Sequence, residues 1–145
     1  MFSADTLSAS QRALLPKDKH DNEAIAKLDN MDPAVFAPLL PELLTWLQDT
    51  NWPVARPVLQ LMLKHLPLIT DPVRDVLRGD DEPWIFNLLE HLIRKMPREQ
   101  QSQLIPELER ISMYPTPGEM EEEADVAARE IVGQVHDFGN RAGGP

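Results

Sequence analysis

Fourteen prolines punctuate the 145-residue chain, and most of them stand at the head of a run in which Leu, Val, Ile and Ala recur at helical spacing. Proline has no amide hydrogen and a fixed φ. It therefore breaks a helix from within but costs nothing in the first turn, where amides lack intrahelical partners anyway. A proline followed by apolar residues at i, i+3 or i+4 and i+7 reads as the start of a helix with one buried face. This pattern admits little besides an all-α chain of proline-led helices.

Residues 1–13 are polar and small and read as a flexible N-terminal arm or a short helix. Asp21 or Asn22 can cap a short helix that buries Ala24, Ile25 and Leu28. Asp32-Pro33 restarts the chain with Val35 and Phe36 inward, and Pro41 opens a helix bearing Leu43, Leu44 and Leu47. Trp52-Pro53 begins a helix with Val54, Val58, Leu61, Met62 and Leu66 on one face, which Pro67 stops. Pro72 to Leu77 forms another, and Arg78-Gly79-Asp80-Asp81 turns. Pro83 leads the most regular helix, with Ile85, Leu88, Leu89, Leu92, Ile93 and Met96 inward and Pro97 as its end. Leu104, Ile105, Leu108 and Ile111 mark the next. Thr116-Pro117-Gly118-Glu119 has the spacing of a capping box. It heads a last helix with Met120, Ala124, Ala127, Ile131, Val135 and Phe138 on one face, followed by a disordered tail over residues 139–145.

The helices recur. Leu43-x-x-Trp46-Leu47 maps onto Val73-x-x-Val76-Leu77 at an offset of 30, and Pro41-Glu42-Leu43 onto Pro106-Glu107-Leu108 at 65. A period in the low thirties with two helices per repeat is a solenoid pattern. The expected architecture is a short right-handed α-solenoid, HEAT-like, of about three helix pairs in a single domain over residues 14–138.

Leu15-Pro16-Lys17-Asp18-Lys19-His20-Asp21 and Trp46-Leu47 with Asn51-Trp52-Pro53-Val54-Ala55 carry a resemblance, as do Asp80-Asp81 before a tryptophan and Pro-Glu-Leu-Glu-Arg at 106–110. The chain resembles, over roughly residues 14–133, a family of small bacterial proteins classed as a domain of unknown function with HEAT-like helical repeats. The resemblance implies the fold and carries no activity with it.

Charge narrows the function. The chain has 24 acidic and 14 basic residues, a net of −10. An acidic field repels phosphates and attracts basic partners over about 8–10 Å, the Debye length at physiological salt. With no basic stripe to neutralise a phosphate backbone, nucleic acid is not an expected partner. The absence of cysteine excludes disulfides, thiolate metal sites and thiol nucleophiles. No apolar run reaches the roughly 20 residues of a membrane span, and Met1-Phe2-Ser3-Ala4-Asp5 lacks signal-peptide character. The expected location is the cytoplasm, away from membranes.

Three polar segments are candidate partner-binding sites. Lys17-Asp18-Lys19-His20-Asp21 can present its charges to an anion, a metal or a partner, or can be a solvated turn whose Asp21 caps a helix. Asn51-Trp52 can display an aromatic anchor of the kind that dominates interfaces, or can staple two helices together. Asp80-Asp81-Glu82 can face a basic partner, or can cap a helix and complement its dipole. The acids from Glu119 to Asp125 read as a solvated face. His20, His65, His91 and His136 share no metal-ligand spacing, with His65 and His91 expected in mid-helix. No nucleophile elbow, phosphate-binding glycine loop or paired acid and base is recognisable, so neither catalysis nor a cofactor is expected. These features together predict a non-enzymatic protein-binding module, of the immunity or antitoxin type, that captures a basic toxin such as a nuclease. The competing readings are a small-molecule-binding protein or small enzyme using Lys17–Asp21 with Asn51–Trp52, and a regulatory adaptor.

Overall fold

Among the described residues, most helix starts can be traced to a capping side chain or a first-turn proline. A computed structural model describes residues 7–143, with side chains through Asp137. It is all helical, with no strand among the described residues. The chain contacts form two compact units, Met1–Val73 and Arg74–Pro145.

In the first unit, Ser8 caps the single turn α1 (Ala9–Arg12) in a reciprocal box with Gln11. Of the expected arm, residues 1–6 lie outside the described part and Leu7 is buried. Asp21 caps α2 (Asn22–Asp29) by accepting from the Ala24 amide at 3.2 Å. Asp32 caps α3 (Pro33–Phe36), with Pro33 in its first turn. Phe36 is fully buried there, whereas Val35, expected inward, stays exposed. A 3-10 turn over Ala37–Leu39 leads into α4 (Leu40–Leu44), and Thr45–Leu47 tightens again into a 3-10 turn.

The next helices depart from the proline reading. Trp52-Pro53 does not start a helix; α5 (Ala55–Lys64) begins two residues later, after a turn in which Asp49 accepts from the Trp52 amide at 3.3 Å. Pro67 does not stop α5. The chain breaks at His65, and Pro67 sits in the first turn of α6 (Leu66–Leu77), where its missing amide costs nothing. His65 is thus a helix terminus, not a mid-helix residue, and its ring meets Phe36 edge-on at 4.8 Å. Pro72, expected as a helix start, lies inside α6 and supplies no amide to the Leu68 carbonyl. Leu28, Phe36, Leu39, Leu43, Leu44, Leu47, Val58 and Met62 make the core of this unit, α2 packing on α5.

In the second unit, Asp81 caps α7 (Glu82–His91) through the Trp84 amide at 3.1 Å. The helix ends at His91, and Ile93–Lys95 continues as a 3-10 turn, so Leu92, Ile93 and Met96 are buried without belonging to α7. Pro97 precedes α8 (Arg98–Ser102), and Pro106 sits in the first turn of α9 (Ile105–Met113). The Thr116–Glu119 capping box forms, heading α10 (Pro117–Glu121).

That last helix is not continuous. Glu123 takes a left-handed φ of 62°, and α11 (Ala124–Gly143) starts afresh beyond it. Met120 consequently leaves the shared face and is half exposed, whereas Ala124, Ala127, Ile131 and Val135 are buried as expected. The Phe138 side chain lies outside the described residues. Helix α11 carries residues 139–143, where a tail is expected. It packs on α9, α7 and α8 over Ile85, Leu88, Leu89, Leu108 and Ile111.

Candidate functional site

The five-residue segment Lys17–Asp21 folds around its own acids. Asp21 uses both carboxylate oxygens: Oδ1 accepts from the Ala24 amide, and Oδ2 from the Lys17 amide at 3.0 Å. The Lys17 amide bond is the main cause that holds the Asp21 carboxyl below its ordinary range. Burial opposes it, and the Ala24 amide and the Lys17 and Lys27 charges add to it. Asp18 Oδ1 accepts from the His20 amide at 2.9 Å. The two aspartates are therefore spent on building the turn, as the capping reading expects. Lys17, Lys19 and His20 are displayed to solvent, and no ion pair engages any of them among the described residues.

The second segment meets the first. The Lys19 carbonyl accepts from the Val54 amide at 3.0 Å, tying the Lys17–Asp21 turn to the one that carries Asn51 and Trp52. Asp49 Oδ1 accepts from the Asn51 amide at 2.9 Å, so Asp49 shapes this turn and Asn51 does not cap α5. Asn51 is exposed. Trp52 is half buried, its ring edge-on to Trp46 at 5.6 Å and 71°. One part of Trp52 packs on Trp46 and the rest is exposed to solvent.

Beside the turn lies a cleft of about 530 Å³ within the size range of small-molecule sites. Its apolar wall is Leu14, Leu15, Leu28 and Met31, and its polar wall includes Lys17, Asp18, His20 and Lys27. Lys27 is loosely paired with Glu23 at 3.7 Å.

Asp80-Asp81-Glu82 belongs to the second unit and is largely occupied with local structure. Asp81 is the α7 cap. Glu82 is half buried against α10, where a Cβ on Gly118 would overlap its side chain. Only Asp80 and the rim of Asp81 remain as displayed acid, so this run offers much less charge to a partner than its composition suggests.

The most organised polar groups in the chain are ones that spacing does not reveal. Glu119 is 1% exposed, and it is not part of a solvated face. Its two oxygens take both terminal nitrogens of Arg110, at 2.7 and 2.6 Å, and Oε1 also accepts from the Thr116 amide at 2.9 Å. Burial pushes the Glu119 carboxyl up, but the bonds from Arg110 and Thr116 outweigh it and leave the group below its ordinary range. The bonds to Glu119 raise Arg110, against the opposing effect of burial. Glu107, 7% exposed, bridges Arg74 at 3.2 Å and Arg78 at 3.1 Å. The capping-box spacing discloses half of Glu119's role. The arginines come from other helices, and no local pattern points to them.

Among the described residues, no group of three His, Asp or Glu side chains is placed to hold a metal ion, and no helix is long and apolar enough to cross a membrane. No curated protein matches this chain. A family model described as a domain of unknown function, DUF5071, matches residues 14–132, and the chain belongs to that family.

Proposed function

We propose that this protein is a protein-binding module whose recognition face is the paired turn of the first unit. The observation that supports the reading is the Lys19–Val54 backbone bond, which joins the turn carrying Lys17, Lys19 and His20 to the turn carrying Asn51 and Trp52. Half-buried tryptophan beside adaptable polar side chains is the composition of an interface centre. The net charge of −10 supports a basic partner met through long-range attraction. A cytoplasmic inhibitor of the immunity or antitoxin type, built from HEAT-like helix pairs and directed at a basic toxin, unites these features.

The test is capture of a toxin encoded beside this chain, followed by kinetics on the purified pair. Association slows as salt rises to physiological strength, because the attraction is screened. Trp52→Ala speeds dissociation, and charge reversal at Asp80 mainly lowers the association rate. A neighbouring toxin that neither binds nor is neutralised on co-expression overturns the proposal.

The cleft beside Lys17 and His20 favours a second reading, a small-molecule site. That reading predicts thermal stabilisation by a metabolite, lost in Lys17→Ala or His20→Ala, with no protein partner.

A further inference from the structure

Of the six large apolar side chains exposed among the described residues, four fall between Ser112 and Arg129: Met113 at 61%, Tyr114 at 73%, Met120 at 50% and Val126 at 43%. That stretch of chain is closed on itself. Arg129 of α11 donates to the Ser112 carbonyl of α9 at 3.2 Å, and Glu119 of α10 is held by Arg110 of α9. The α9–α10 turn, α10 and the first turn of α11 are therefore gathered at one end of the second unit. Their inner side is spent on packing through Glu119, Ala124, Ala127 and Ala128, all buried. The four exposed apolar residues belong to the outer side. A cluster of this kind marks an interaction surface more often than a lone exposed leucine does. Its chemistry suits one too, since methionine adapts to the shape of a partner and tyrosine is enriched at interface centres.

Charge selects the occupant. The stretch from Ser112 to Arg129 holds five acids and one base. Asp125 is matched by Arg129 at 3.6 Å, and Glu119 by Arg110 from α9. Arg78, which shares a cleft with Thr116, is already bonded to Glu107. Glu121, Glu122 and Glu123 remain, all exposed and in no ion pair among the described residues. They follow Met120 directly and end at the left-handed Glu123 that turns the chain into α11. Three unmatched carboxylates at the border of the apolar cluster repel an anionic lipid surface. In a two-fold dimer through this face they would meet their own copies. A cationic partner with apolar side chains is the one that the border attracts.

We propose that this end of the second unit docks a basic amphipathic helix of another protein. Such a helix lays apolar side chains at i, i+3, i+4 and i+7 on Met113, Tyr114, Met120 and Val126. Lys or Arg on the flank of its apolar stripe meets Glu121, Glu122 and Glu123. The surface is independent of the paired turn in the first unit, and neither proposal depends on the other.

The experiment titrates the full chain into a fluorescent peptide of about 16 residues, leucine at i, i+3, i+4 and i+7 and lysine elsewhere, and follows its anisotropy. Saturable binding at low salt, with a Kd on the order of 10 µM or tighter, is the expected result. A scrambled peptide of the same composition and a peptide with glutamate for lysine bind about tenfold more weakly or worse. Tyr114→Ala and Met120→Ser each weaken binding by about fivefold or more, the scale of an interface anchor. Both positions are exposed, and circular dichroism shows that the variants stay folded. Glu121→Gln, Glu122→Gln and Glu123→Gln together weaken binding and flatten its salt dependence. Removing as many exposed acids elsewhere, by Asp75→Asn, Glu99→Gln and Asp137→Asn, leaves most of the affinity in place. No saturable binding, equal binding of the scrambled peptide, unchanged affinity in both Tyr114→Ala and Met120→Ser, or equal loss in the two charge-removal sets overturns the proposal. So does a dimer in sedimentation that Tyr114→Ala dissolves, which assigns the face to a second copy. Loss in Trp52→Ala with none in Tyr114→Ala overturns it as well, by moving the peptide to the paired turn. No arm uses a toxin, so this proposal and the first fail separately.

Discussion

Arg110 closes a two-pronged ion pair on Glu119, at 2.7 and 2.6 Å, with the carboxylate almost wholly out of solvent and the guanidinium still 39% exposed. The asymmetry determines which partner can be lost. Removing the arginine leaves a buried charge with one backbone donor, whereas removing the glutamate releases an arginine that can turn to water. Arg110→Ala should cost about 2–4 kcal/mol, toward the lower end of the range for breaking a buried pair because Arg110 is partly solvated. Glu119→Gln should cost less, and a double-mutant cycle by urea denaturation should return a coupling above about 1 kcal/mol. Additive single effects would show that the pair contributes only packing.

The same carboxylate sets an acid limit. The Glu119 carboxyl lies below its ordinary value in the folded chain. The unfolded chain therefore binds a proton first as pH falls, and the stability from this group is present above the unfolded value of 4.5 and lost below it as pH passes through the folded value. Denaturation midpoints measured from pH 6 downward should fall more shallowly in Glu119→Gln than in the parent protein. Parallel curves would remove Glu119 from the acid response.

Glu123 distinguishes a broken terminal helix from a continuous one. A left-handed conformation costs a non-glycine residue about 1–2 kcal/mol, so Glu123→Gly should be neutral or stabilising by up to about 1 kcal/mol. In an unbroken helix the same change would destabilise by about 1 kcal/mol. The sign of the shift in melting temperature decides.

The core of the second unit is tested at Leu89, fully buried in α7. Leu89→Ala should cost about 2–5 kcal/mol, the spread reflecting how far the cavity collapses. A negligible effect in chemical denaturation would contradict the packing of α11 over this face.

Asp21→Ala should loosen the paired turn without unfolding its unit. Both acceptor bonds disappear, so the Lys17 and Ala24 amides should exchange with deuterium faster, while amides within α5 keep their protection. Uniform acceleration across the unit would make Asp21 a global support.

Periodicity made the buried faces legible: the apolar residues read from Leu43 to Leu47 and from Ile85 to Met96 are all core or half buried. Caps at Asp21, Asp81 and Thr116 were legible because each bonds within four residues. Breaks were less so. Pro72 marks no boundary, since it lies inside α6, and Pro67 marks the start of α6 and not the end of α5, which breaks at His65. The candidate turn was legible as two segments, but their junction is a backbone bond across 35 residues. Glu107, Glu119 and their arginines were illegible for the same reason, because 29 and 33 residues separate Glu107 from Arg78 and Arg74.

The bond between the Lys19 carbonyl and the Val54 amide uses no side-chain atom. Its strength is indifferent to what residue 19 is, and the aspartates that shape the neighbouring turns stand outside positions 17, 19 and 20. Scaffold and vocabulary are therefore separate here. The three displayed positions can be rewritten one at a time while the frame keeps its shape, so a chain of this design can change what it recognises without first having to learn a new fold.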